Sequence, residues 1–346
     1  MKFGPVPLEE AVGKVLAHNL VDERGQRLLG KGRVLSCADV ETMARLGMDR
    51  VVVADPGPGD LDENEAARRV GLAVAGPGIH MVTPGVGRAN LVARHHGPVA
   101  INVPALSILN NIDPGITLAT LRNHTLVEEG ELVTLVKIVP FGIPEARIID
   151  VESTARRLAP IVDQHKMKSL KVGLIISGPD RAQDRLRRAL QPPTQKRLQG
   201  LGSKLGEVVS TRHEPKGIAA AISQQVDSGM DMLLIGSVSA IIDRDDVVPT
   251  GLRLAGGTVT HFGMPVDPGS LLMLGYVDEV PVIGAPGCIR SPRTNVIDLL
   301  LPRLLAGERL TRADLVAMGH GGLLEDIRER PMPRALTSGR GSHESD

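Results

Sequence analysis

The sequence predicts an α/β protein. Its second half should be a three-layer, mostly parallel sheet with helices on both faces, preceded by a small α/β unit and a mostly β subdomain. Three observations predict this. From Lys168 onward, short apolar runs that end in glycine or serine alternate with longer helical-period stretches. Residues 77–145 are rich in glycine, proline and β-branched residues and carry repeated turn signals. The first 70 residues mix two helical patterns with short strand-like runs.

In chain order, "PLEEAVGKVL" places Leu8, Val12, Val15 and Leu16 at helical spacing and predicts a helix. "RLLGKGRVLS" predicts a hairpin around Gly30 and Gly32. "SCADVETMARLG" predicts a helix capped by Ser36 and stopped at Gly47, and "DRVVVADPGPGD" a strand running into a Pro/Gly linker. "PVAINV", "GITLATL" and "LVTLVKIVPF" read as strands, with one helix near Ala105–Asn110. "EARIIDVESTARRLAPIVDQHK" reads as a linking helix. Strand and helix then alternate: "KVGLIIS", a helix broken at Pro192–Pro193, "EVVSTRHE", "PKGIAAAISQQVDSG", "MDMLLIG", "DDVVPTGLRLAGG", "TVTHFGMPV", "VPVIGAPG" and "SPRTNVIDLLLPRLLAG". These readings divide the chain at 1–75, 76–150 and 168–306. A C-terminal extension follows over 307–346, its polar end expected to be disordered.

Composition narrows the function. The 346 residues carry no net charge and contain no tryptophan, one tyrosine and three phenylalanines. Without a basic field or aromatic stacking platforms, a nucleic-acid partner is not expected. Two cysteines, Cys37 and Cys288, exclude a disulfide framework and a CxxC zinc site. No apolar run approaches the roughly 20 residues of a membrane helix, and no signal-like segment opens the chain. The expectation is a cytoplasmic protein with no membrane partner.

Three strand ends of the second half carry unusual turns. "IISGPD" supplies Ser177, Gly178 and Asp180. "IGSVSAIIDRDD" supplies Gly236, Ser237, Val238, Ser239, Asp245 and Asp246. "IGAPGCIRSPR" supplies Pro286, Gly287, Cys288, Arg290 and Ser291. In a parallel sheet these turns share one edge, where ligands bind beyond the carboxyl ends of strands. Glycines admit close backbone approach, and helix N-termini favour anions. Carboxylates on the same edge call for a hard cation such as Mg2+ beside the anion. A plainer reading stands next to each: Asp245 and Asp246 also suit a helix start, Cys288 a small buried hydrophobe, and Arg290 a solvated turn.

The segment "DMLLIGSVSAIIDRDDVVPTGL", then "HFGMPVDPGS", then "VPVIGAPGC" resembles the molybdopterin-binding domain of molybdenum-cofactor biosynthesis. That family carries a Gly-Gly-(Thr/Val)-Ser turn, an aspartate before a helix, a Pro-Gly-Lys-Pro turn and a Gly-Leu-Pro-Gly-Asn-Pro turn in this order. "PLEEAVGKVLAHNL" and "LLGKGRVLSCADVETMARLGMDRVVV" are similar to the opening of the larger molybdopterin molybdotransferases, and "GHGGLLEDI" closes the resembling region. Departures are specific: Gly-Gly becomes Gly236–Ser237, the lysine turn becomes Pro268–Gly269–Ser270, and the last asparagine becomes Cys288.

The resemblance implies a ligand, molybdopterin or its adenylylated form, with molybdate as co-substrate. It also implies Mg2+ held by Asp246 and Asp180, which would be the catalytic residues, and a homo-oligomer. Two functions follow: insertion of molybdate into the pterin with release of AMP, or a carrier that passes pterin or cofactor to a cofactor nucleotidyltransferase. A nucleotide hydrolase on the same fold is a third.

Overall fold

The computed structural model describes residues 1–323. The expected disordered end and the last residues of "GHGGLLEDI" therefore lie outside the described residues. The chain divides into two compact units, Met1–Lys166 and the part from Met167 onward.

The first unit opens with a strand, not a helix. Lys2–Pro7 pairs antiparallel with Arg50–Asp55, whose other edge carries Val15–Leu16. Only Leu8–Glu10 forms a single 3-10 turn, because the chain reverses at Gly13 in the left-handed region, φ +82°. That reversal brings Val15 and Leu16 to the sheet, so a spacing that looks helical marks a strand–turn–strand passage. The hairpin is also displaced: Arg27–Leu29 pairs with Leu20–Val21, and Val34 bridges Val15 instead. The Ser36 cap is present. The Ser36 hydroxyl accepts from the Asp39 N–H, and the Asp39 carboxylate accepts from the Ser36 N–H, a reciprocal box that starts the helix Cys37–Arg45. Leu8, Leu16, Leu35, Met43, Val51 and Val53 close this core.

The rest of the unit is built on an antiparallel sheet in the order Ile116–Thr120, Leu132–Ile138, Arg88–Ala93, Ile79–Gly85. Two helices, Glu63–Val74 and Glu145–Leu158, contribute to its core. The first of these was not expected. Its buried face is mostly alanine and valine (Ala66, Ala67, Val70, Val74), a weak apolar signal next to a Pro/Gly stretch. Arg69 ties the pair together, reaching Glu152 at 2.7 Å and Glu145 at 2.6 Å. The linking helix is shorter than expected: it ends at Leu158, and Val162–Gln164 is a strand paired with Gly97–Ile101.

In the second unit the elements are β1 (Lys171–Ser177), α1 (Asp180–Gly200), β2 (Lys204–Thr211), α2 (Pro215–Asp227), β3 (Met232–Ser237), α3 (Val247–Leu254), β4 (Thr258–Phe262), β5 (Met273–Val277), β6 (Val280–Gly284), α4 (Val296–Leu305) and α5 (Arg312–Ala317). Its six strands form one sheet in the order β2-β1-β3-β6-β5-β4. The first four are parallel and β5 is antiparallel to both its neighbours. β5, "MLGYV" just after the Pro268–Gly269–Ser270 turn, was not among the expected strands.

Alternate strand residues enter two cores. Val172, Leu174, Ile176 and Leu234 join α1 and α4, whereas Ile175, Leu233, Ile235 and Val282 join α2 and α3. Contrary to expectation, α1 runs unbroken through Pro192 and Pro193. Its stripe Ala182, Leu186, Leu190, Thr194 and Leu198 is buried along its length, and that packing offsets the roughly 3 kcal/mol an interior proline costs. No helix among the described residues is long and apolar enough to cross a membrane.

Candidate functional site

Strands β1, β3 and β6 are parallel neighbours, so the turns after Ser177, Ser237 and Gly284 open on one edge of the sheet. β4 ends on the same edge, since Phe262 pairs with Met273 and Met273 with Gly284. The loop holding Pro268, Gly269 and Ser270 therefore lies there too. All four turns singled out in the sequence share this edge.

Ser177 and Ser237 are register partners at the ends of β1 and β3. Both are buried. Between the turns stands His213, in the loop joining β2 to α2. Its Nδ1 lies 2.9 Å from the Ser177 Oγ and its Nε2 lies 3.0 Å from the Ser239 Oγ. Burial pushes the His213 imidazole below its ordinary value, with the negative charge of Asp246 acting in the opposite sense. Burial thus favours the neutral ring. Ser237 differs from the other two serines: it is 8% exposed, and its Oγ has no hydrogen-bond partner among the described residues. Its carbonyl accepts from Arg290 Nη2 at 3.3 Å.

The glycine turns serve packing as well as access. A Cβ on Gly178 would meet Leu186 Cδ1 at 2.7 Å, and one on Gly236 would meet Leu190 Cδ1 at 2.6 Å. The backbone N–H groups of Gly178 and Val238 donate to Thr211 and Ser177 carbonyls, which removes both from any ligand. Val238 itself is exposed.

The acidic residues are engaged. Asp246 caps α3: Oδ1 accepts from the Val247 N–H at 2.7 Å and Oδ2 from the Ile242 N–H at 3.0 Å. Asp245 pairs with Arg253 at 2.7 Å. Asp180, the first residue of α1, is 3.5 Å from Arg212 and accepts from Gln183. Asp180 and Asp246 thus have separate partners, and among the described residues no group of three or more His, Cys, Asp or Glu is disposed to hold a metal.

The remaining predicted residues form a second cluster. Gly287–Arg290 is a 3-10 turn after Pro286. Arg197, from α1, threads it: Nη1 donates to the Ile289 carbonyl and Nη2 to the Ser291 carbonyl, each at 2.8 Å, while Nε pairs with Asp298 at 2.8 Å. Asn295 caps α4 and its Nδ2 donates to the Cys288 carbonyl. Burial raises the Cys288 thiol, so it is not a ready thiolate. The Pro268 carbonyl accepts from the Val296 N–H, which ties the Pro268–Gly269–Ser270 loop to the same helix start.

Sequence reasoning missed His213 and Arg197. The first had a usable signal, because a histidine between a strand and a helix in an α/β unit sits on the ligand edge. The second reads as one of many arginines on a charged helix. A groove of about 610 Å3 lies on the opposite edge, lined by Gln191, Gln195, Gln199 and the start of β2, and contains none of these residues.

Residues 5–55 match a family described as a domain of unknown function, DUF8806. No curated protein matches the chain. Among solved structures, a molybdenum cofactor biosynthesis protein from Pyrococcus furiosus is similar at 14% identity and a TM-score of 0.22, over 91% of this chain and 65% of that one. The chain thus spans just under two thirds of that relative. The molybdopterin biosynthesis MoeA protein from Pyrococcus horikoshii is similar at 12% identity and a TM-score of 0.26, over 91% of this chain and 75% of that one.

Proposed function

We propose that the carboxyl-terminal edge of the second unit binds the phosphorylated pterin of molybdenum-cofactor biosynthesis. The observation that carries this reading is the gathering of four small-residue turns on one sheet edge, in the chain order of the molybdopterin-binding motifs. The exposed Ser239 hydroxyl and the Arg290 guanidinium supply donors for an anionic ligand there, and the unpartnered Ser237 hydroxyl lies buried at the same turn. The three-layer arrangement belongs to the same reading and is supported by the two cores on either face of the sheet. The test is mass spectrometry of small molecules released from protein purified from a pterin-producing host. A pterin phosphate in stoichiometric amount is expected, and its absence together with no binding of added molybdopterin overturns the reading.

Insertion of molybdate is the finer form of this function. It would place Mg2+ on Asp246 and Asp180, but both Asp246 oxygens already accept backbone N–H bonds and Asp180 faces Arg212. A cation could share the Asp246 oxygens, which each keep a second lone pair, but would have to draw Asp180 away from Arg212. That ion pair, with serine at position 270 where the family has lysine, favours a carrier that passes the pterin to a nucleotidyltransferase. AMP release from adenylylated pterin and molybdate by purified protein decides between the two. A homo-oligomer is part of either form, and sedimentation checks it.

A further inference from the structure

A neutral imidazole has one N–H and one lone pair, so its two partners cannot play the same role. Ser177 is fully buried and His213 Nδ1 is the one partner of its hydroxyl among the described residues. If Nδ1 carried the proton, it would donate to the Ser177 Oγ and leave the serine's own hydrogen buried without an acceptor. The arrangement with every donor used is favoured. Ser177 therefore donates to Nδ1, the imidazole proton sits on Nε2, and Nε2–H donates to the Ser239 Oγ 3.0 Å away. Ser239 is exposed, and its hydroxyl hydrogen is left over for a group outside the chain.

From this we infer that His213 is a positioning residue. Its tautomer, imposed by Ser177, holds Ser239 as a hydrogen-bond donor, and Ser239 receives an oxyanion, a phosphate or phosphate monoester, two residues along the same turn from the buried, unpartnered hydroxyl of Ser237. Identifying that oxyanion with the pterin's phosphate rests on the proposed function; the donor chemistry does not. Arg290, tethered to the Ser237 carbonyl, adds positive charge. Asp246 opposes it, its carboxylate partly compensated by two backbone N–H groups. Arg212 is neutralised by Asp180. The same accounting argues against a nucleophilic serine. A base must present a lone pair to the hydroxyl it activates, and Nε2 presents a hydrogen to the exposed Ser239.

The test is long-range 1H–15N correlation on the full chain near neutral pH, with His213 assigned through its backbone, followed by titration with inorganic phosphate and with methyl phosphate. The expected result is a proton on Nε2, with phosphate-dependent shifts at Ser237 and Ser239. Ser239→Ala should weaken phosphate binding by at least about ten-fold, the worth of one hydrogen bond to a charged group. Ser177→Ala should release the tautomer and move proton occupancy toward Nδ1. A proton on Nδ1 in the unsubstituted protein overturns the inference, and so does the absence of shifts at Ser237 and Ser239 with both phosphates. Tighter binding of methyl phosphate than of phosphate assigns the site to an ester. None of these readouts requires a pterin, so failure of the pterin assignment leaves a different trace: phosphate binding without pterin binding.

Discussion

Arg197 and Asp298 stand 101 positions apart in sequence and meet with Nε 2.8 Å from Oδ1, almost out of contact with water on the arginine side. The same guanidinium holds the carbonyls of Ile289 and Ser291. One side chain thus fixes the turn that contains Cys288 and Arg290 to the helix behind it.

Replacing that arginine leaves the Asp298 carboxylate with the Asn295 N–H alone and strands two carbonyls. Arg197→Ala should cost about 3 kcal/mol, in the range for breaking a half-buried charge pair, and a urea unfolding series would measure it. Arg197→Lys should recover only part, because a point charge cannot reach three acceptors in a fork. Hydrogen exchange over 286–293 should quicken in both variants; unchanged exchange there would show that the turn is held by something else.

Asp246 is a cap whatever else it does. Asp246→Ala should lose about 0.5–2 kcal/mol of stability, and Asp246→Asn less, since one acceptor oxygen remains. Under the carrier reading both variants keep pterin affinity within about two-fold, well below the ten-fold that 1.4 kcal/mol represents. A fluorescence titration checks this, and a collapse of Mg2+-dependent turnover in Asp246→Asn would favour the transferase.

Gly236 lies where α1 crosses β3. A methyl group there meets Leu190, which is itself 1% exposed and has little room to move. Gly236→Ala should destabilise the second unit by about 1–3 kcal/mol through overpacking, seen as a lowered unfolding midpoint. Gly236→Ala combined with Leu190→Ala should be less damaging than the sum of the two singles, because they share one clash.

Asp39 is held at about 2, below its ordinary 3.8, chiefly by the hydrogen bond from Arg33 and then by Ser36. A carboxylate with a depressed folded value stabilises fully above its unfolded value. That contribution fades as pH falls from about 4 through 2. The first unit should lose about 1–2 kcal/mol across that window, allowing for the exposed Arg33. Ser36→Ala should narrow the window and cost about 1 kcal/mol at neutral pH. Urea midpoints at pH 7 and pH 3 measure both effects.

Where the chain writes strong local signals, reading it sufficed. The capped helix after Ser36 needs only a serine and an aspartate three residues on, and the runs ending at Ser177, Ser237 and Gly284 are too apolar to be anything but buried strands. Alternation of strands and helices then puts their ends on one edge, since a parallel strand after a helix must start again from the other side. What local pattern could not decide was anything set by partners distant in sequence. The spacing of Leu8 to Leu16 looks helical until Arg50–Asp55 claims the strands on either side, and two prolines look like a break until the core buries the stripe that runs through them. His213 is an ordinary letter in the sequence, and Ser237 reads there only as part of a small-residue turn. Only the folded sheet puts that ring between two hydroxyls and leaves the third without a partner, because hydrogen-bond completeness depends on distances that spacing along the chain does not encode.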